Sequence, residues 1–114
     1  MLYAAAASAD AKLDKQMKSL AYSNGCTMCH NMKSVEAGPG GMGPIAPSWQ
    51  DVADHYRGQA GARDALLKVV MGGGTVYGHH WEDKVSGTVM PPNAILINEA
   101  DAKKLIAWIL SLKK

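Results

Sequence analysis

A chain of 114 residues has room for one hydrophobic core and no second domain. Hydrophobic residues make up 47% of it, which places it among globular rather than disordered chains, and no apolar run reaches the length of a membrane span. A formal charge of +2 gives nucleic-acid binding no support.

Residues 1–9 are small and apolar, and Ala7-Ser8-Ala9 fits the pattern of a leader cleavage site before Asp10. They lack a basic leading segment, so they are read as a tail or leader remnant, with the folded domain at 10–114. A helix is expected from Asp10 as its cap. Leu13, Met17, Leu20 and Ala21 recur at helical spacing, while Lys12, Lys15 and Lys18 occupy other faces. Asn24-Gly25 is a stop signal that places Cys26 just past the helix end.

Cys26-Thr27-Met28-Cys29-His30 follows and decides the chemistry. CxxCH is the attachment signature of c-type haem. Two thiolates at this spacing each add to a vinyl group along one porphyrin edge, and the adjoining imidazole is carried beneath the iron as proximal ligand. A half-built zinc site completed by His55, His79 or His80 uses the same residue types, as does a redox CxxC disulfide. Against both stand a total of two cysteines and the lack of an alternating strand pattern around them.

A loop rich in breakers comes next, with Gly38, Pro39, Gly40, Gly41, Gly43, Pro44 and Pro47 close together. Ser48 is placed to cap a short helix running to about Arg57. The following helix begins near Gly61, carries Ala65, Leu66, Val69 and Val70 on one side, and ends at Gly72-Gly73-Gly74. Residues 72–97 show neither helix nor strand pattern. The last element is a helix capped by Asn98, with Glu99 and Asp101 in its first turn. Ala102, Leu105, Ile106, Ile109 and Leu112 form its apolar stripe, Lys113-Lys114 close it, and Ile97 is placed to staple onto Ala102. Trp49 and Trp108 read as core residues.

Two long loops in so small a domain are uncommon unless they serve a site. A haem offers a large flat apolar surface, worth ~25 cal/mol per Å² buried. Both loops are therefore expected to close around it, one on each face. On the face opposite His30 the strongest ligand candidate is Met90, in Thr88-Val89-Met90-Pro91-Pro92-Asn93, where two prolines stiffen the backbone and remove N–H donors. The other methionines and His55, His79 and His80 compete. Met17 and Met71 read as core fillers, Met28 as pointing outward, Met32 and Met42 as lying on the proximal side, and His55 as a surface or capping residue. Met/His ligation raises the reduction potential and blocks small-molecule access.

Together these residues resemble the class I c-type cytochromes, most closely the short bacterial c-551 (c8) type, over about residues 15–113. Gly25-Cys26-Thr27-Met28-Cys29-His30 is similar to the haem-binding turn. Pro47-Ser48-Trp49-Gln50-Asp51-Val52-Ala53 is similar to the proline segment, whose proline carbonyl accepts the proximal His N–H. Gly58-Gln59-Ala60-Gly61-Ala62 and Met90-Pro91-Pro92-Asn93-Ala94 also match.

The resemblance implies an all-α class I cytochrome c fold. It would have four to five helices, the first and last crossed, and two long loops around one haem c bound covalently through Cys26 and Cys29. It implies His30 and Met90 as axial ligands and Asn93 near the Met sulfur. Three departures stand out. Lys68 replaces an arginine directed at a propionate, Tyr77-Gly78 replaces a tryptophan before glycine, and about eight extra residues lie within 79–89. Trp81, in that insertion, is expected to replace the missing tryptophan against a propionate, with a surface position as a partner contact as the alternative.

The implied function is a diffusible one-electron carrier in the periplasm, within a respiratory chain, exchanging electrons with redox proteins and transforming no substrate. A second reading is the haem-bearing subunit of a larger oxidoreductase. A third is a peroxidase or gas sensor with an exchangeable sixth ligand.

Overall fold

The structure, a computed structural model, describes residues 2–33 and 44–113, with side chains from residue 11 onward. Gly38, Pro39, Gly40, Gly41, Met42, Gly43 and Lys114, all named above, lie outside the described residues.

Among the described residues, four α-helices make up the architecture: α1 (Leu2–Ser23), α2 (Trp49–Tyr56), α3 (Ala62–Gly72) and α4 (Glu99–Leu110). The first begins well before Asp10, which therefore lies inside the helix and is not its cap. Alanine is the strongest helix former, and Ala4-Ala5-Ala6-Ala7 carries the helix toward the N-terminus. At the other end Asn24 Nδ2 donates to the Leu20 carbonyl at 2.8 Å, and the chain turns at Gly25 into a single 3₁₀ turn, Cys26–Met28.

The other two sequence-expected caps form. Ser48 Oγ accepts the Asp51 N–H at 3.0 Å, and Asn98 Oδ1 accepts the Asp101 N–H at 2.8 Å. Each satisfies a helix-terminal donor that would otherwise lack a partner, worth about 1 kcal/mol. The stretch at 72–97, expected to be irregular, contains a short antiparallel ladder between β1 (Gly74–Thr75) and β2 (Val89–Met90), with Gly74 opposite Met90 and Thr75 opposite Val89. Two residues per strand are too few to leave a period-two pattern, so the ladder was invisible to pattern reading.

Helix α4 packs against α1, α2 and α3 and organises the interior. The core joins Met17 and Ala21 of α1, Trp49 of α2, Ile97, and Ala102, Leu105 and Trp108 of α4. Trp49 and Trp108 meet edge to face at 5.7 Å, a favoured aromatic geometry. The Trp108 indole N–H donates to Asp14 Oδ1 at 2.8 Å, which ties the last helix to the first. Leu13, expected on the core stripe, is 44% exposed. On α3 the core-facing residues are Leu67, Val70 and Met71, one step round from the expected stripe, and Ala65 is exposed. The helix is apolar on more than one side, so spacing alone could not select the face that meets α4. No described helix is long and apolar enough to cross a membrane.

Candidate functional site

The turn carrying the two cysteines is fastened to the start of α2. Inside the turn, His30 N–H donates to the Cys26 carbonyl at 3.0 Å. Immediately after it, the Asn31 and Met32 carbonyls accept the Trp49 and Gln50 N–H groups at 2.8 and 3.0 Å. Those are first-turn donors of α2, which have no partner within their own helix. One set of bonds thus closes the helix end and seats the CxxCH segment.

This seating brings His30 to Pro47. His30 Nδ1 lies 2.7 Å from the Pro47 carbonyl oxygen. A carbonyl only accepts, so Nδ1 carries the proton and Nε2 keeps its lone pair free for a metal. Burial pushes the His30 pKa below its ordinary value, and the Pro47 bond partly opposes this. The net lowering favours the neutral imidazole, and the Pro47 bond fixes its orientation and tautomer, which is the form that ligates. The ring lies nearly parallel to Trp49, with centroids 6.1 Å apart and planes 18° from parallel.

Cys26 is half-buried against the core and Cys29 is exposed, and both are free thiols. Burial raises the Cys26 pKa, its own backbone N–H partly offsets that, and the neighbouring Cys29 adds a smaller upward push. A redox-active CxxC needs the opposite, a thiolate stabilised near neutral pH. Two free thiols beside a neutral imidazole with an available Nε2 are the donor set of a covalently held haem, and these residues fit that group.

Met90 is half-buried and occupies the last position of β2, opposite Gly74. Its segment is held to α3 by Asn93, whose backbone N–H and side-chain Nδ2 both donate to the Val70 carbonyl, at 3.0 and 3.1 Å. Nδ2 also donates to the Pro91 carbonyl at 2.9 Å. Both amide protons are thereby used on the backbone. Gly73 allows the chain to pass, because a Cβ there would stand 2.9 Å from the Met90 carbonyl oxygen and 3.0 Å from Pro92.

The remaining sequence candidates separate. Met17 is buried and Met71 packs on the core, whereas Met28 is 81% exposed. Met32 is partly buried against the same core. Lys68 and Tyr77 are both exposed. Trp81 packs edge-on against His55 and His80, at 5.4 and 4.6 Å. His55 and His80 stack on each other at 3.7 Å, and His55 also meets Tyr56 edge-on. His55 is half-buried and anchors an aromatic cluster between α2 and the insertion. Sequence reading missed that cluster because its members lie more than twenty positions apart. Trp81 next to His79-His80 was the available signal.

Comparison with known proteins agrees with this geometry. The family model for cytochrome c matches residues 15–113. The chain belongs to the cytochrome c family. It is 42% identical over 94 residues to cytochrome c-551 of Allochromatium vinosum, covering 82% of each chain. The crystal structure of wild-type Nitrosomonas europaea cytochrome c552 superposes with a TM-score of 0.64 at 30% identity, covering 84% of this chain and 99% of that one. A class 1 cytochrome from Sideroxydans lithotrophicus superposes with a TM-score of 0.56 at 29% identity over 83% of this chain and 90% of its own. This cytochrome is of the class I, c-551 type and has the all-α fold of that class. It carries one covalently held haem c, and its two cysteines, Cys26 and Cys29, stand at the attachment spacing. Its function is electron transfer.

Proposed function

We propose that this cytochrome is a diffusible carrier that holds its haem iron between His30 Nε2 and the Met90 thioether, moves one electron per cycle and transforms no substrate. The His30–Pro47 hydrogen bond supports this most directly, since it fixes the imidazole in the tautomer and orientation that a proximal ligand needs. When bound, the haem supplies a ferric–ferrous couple. The chain's own residues then do three things. Pro47 orients His30, the β1–β2 pairing and the Asn93 bonds to Val70 and Pro91 hold the Met90 segment rigid, and the Trp49–Trp108 core keeps the proximal side dry. A site closed on both faces changes little between oxidation states, which keeps electron exchange fast.

Asn93, with its amide protons on backbone carbonyls, serves this reading as a positioning residue for the methionine segment. Lys68 and Tyr77 are the side chains proposed to approach a propionate, Lys68 as a point charge where an arginine would bind bidentately. Trp81, through its edge contacts with His55 and His80, holds the insertion on α2 in this reading. Attachment of haem to CxxCH in bacteria takes place outside the cytoplasm, so the proposed location is the periplasm, with redox proteins of a respiratory chain as donors and acceptors.

Carbon monoxide added to the ferrous protein tests the closed site. No binding on the timescale of manual mixing is expected. Rapid, stoichiometric uptake would instead indicate an exchangeable sixth position, as in a peroxidase or gas sensor. A tight stoichiometric complex with a dehydrogenase or reductase on gel filtration would replace the free carrier with a subunit.

A further inference from the structure

The insertion within residues 79–89 has no role in the reading above, yet it is fastened at both ends. At its start His80 and Trp81 pack on His55 of α2. Between them and the far end, the chain folds into tight turns, with His79 N–H on the Val76 carbonyl, Glu82 N–H on His79 and Lys84 N–H on Trp81, at 3.0 to 3.2 Å. At its end Ser86 N–H donates to the Pro44 carbonyl at 2.8 Å and Gly87 N–H donates to the Ile45 carbonyl at 2.9 Å.

Those two acceptors belong to the segment that presents Pro47. Pro44 and Ile45 lie three and two residues before the carbonyl that orients His30. On the other side, Thr88 follows Gly87 directly, its carbonyl accepts the Val76 N–H at 3.0 Å, and the next two residues are β2, with Met90 opposite Gly74. A run of five residues therefore joins the proximal segment to the methionine segment through backbone hydrogen bonds at each end.

We propose that residues 86–90 form a strap that couples the placement of Pro47, and through it His30, to the placement of Met90, with Gly87 as the positioning residue. The proposal rests on the His30/Met90 reading above. Gly87 is the contact point because a Cβ there would stand 2.5 Å from the Ile45 carbonyl oxygen, where ordinary contact begins near 3.4 Å. The obstructing atom is backbone, so no side-chain rotation relieves it. Any residue but glycine drives the two segments apart by nearly an ångström. Packed backbones transmit such a displacement rather than absorb it.

The test compares haem-loaded Gly87→Ala and Ser86→Ala proteins. Ser86→Ala removes only the hydroxyl contact to Pro44 at 3.3 Å and keeps the backbone N–H, so wild-type behaviour is expected. Gly87→Ala is expected to weaken the far-red thioether band of the ferric protein and lower the reduction potential. It should also bind added imidazole about tenfold more tightly, the scale set by an overpacking strain released when Met90 leaves. A folded Gly87→Ala protein with the wild-type band, potential and imidazole affinity overturns the strap. Where that variant does not fold, amide hydrogen exchange on the wild-type protein decides. Ser86 and Gly87 amides as protected as that of Val76 support the strap, and exchange at open-chain rates overturns it. A wild-type ferric spectrum lacking the thioether band sinks the ligand reading instead, while the same two amides still report on the strap.

Discussion

Gly73→Ala tests how the methionine segment is held against α3. Gly73 ends that helix at φ 81° and ψ 170°, a backbone region open essentially to glycine alone, so alanine there costs about 1–3 kcal/mol in strain. The added Cβ also meets the Met90 carbonyl oxygen at 2.9 Å and the Pro92 ring at 3.0 Å. None of these atoms can rotate away, and forcing them apart adds about 1–3 kcal/mol of overpacking. Gly58→Ala is the matched control. Gly58 also has a positive φ, 77°, but nothing stands within 4 Å of its Cβ position, so only the left-handed cost of about 1–2 kcal/mol applies. Denaturant unfolding of the haem-loaded proteins measures both. Gly73→Ala is expected to lose about 1–3 kcal/mol more than Gly58→Ala and to weaken the ferric thioether band, which Gly58→Ala leaves intact. Equal losses with the band unchanged in both would refute the close approach at Met90.

Asp14→Ala removes the acceptor of the Trp108 indole N–H and is expected to cost about 1–3 kcal/mol in denaturant unfolding, with Asp14→Asn retaining much of it. A cost within the ±0.5 kcal/mol usual for surface changes would mean that this bond does not tie α1 to α4. His80 is held below its ordinary pKa by desolvation first, then by His55 and Lys84. The unfolded chain therefore binds the proton more readily, so the contribution of this cluster to stability is full above about pH 6.5 and is lost as pH falls through the folded value. Proton NMR should show His80 titrating below the ordinary histidine value and moving up in His55→Ala. Titration at or above that value in the wild type would contradict the stacking.

What was legible in the sequence was what short-range rules govern. Ser48 and Asn98 were readable as caps because a cap is defined within four residues, and Asn24-Gly25 as a stop for the same reason. CxxCH was readable because covalent attachment and ligation impose a fixed spacing on one turn of chain. Trp49 and Trp108 were readable as core from their place on amphipathic helices, but their mutual contact and the bond from Trp108 to Asp14 were not. Those depend on how α4 crosses its neighbours, over separations of 59 and 94 positions. Asp10 misled because the alanines before it are strong helix formers and carry the helix through it, whatever its own capping preference. The β1–β2 ladder and the insertion's anchorage on Pro44 and Ile45 were hidden for a further reason. Their bonds are made by backbone groups, which every residue carries, so no side-chain pattern marks them. Only Gly73 and Gly87 hinted at them, and a glycine alone does not say which chain passes close by.

The proposed grip of imidazole and thioether on the iron from opposite faces is tested most directly by the ferric absorption spectrum of Met90→Ala against wild type. The wild-type protein is expected to be low-spin with the far-red thioether charge-transfer band. Met90→Ala is expected to lose that band and to have a lowered reduction potential. A Met90→Ala protein that keeps the band and the potential would show that another side chain supplies the second axial ligand.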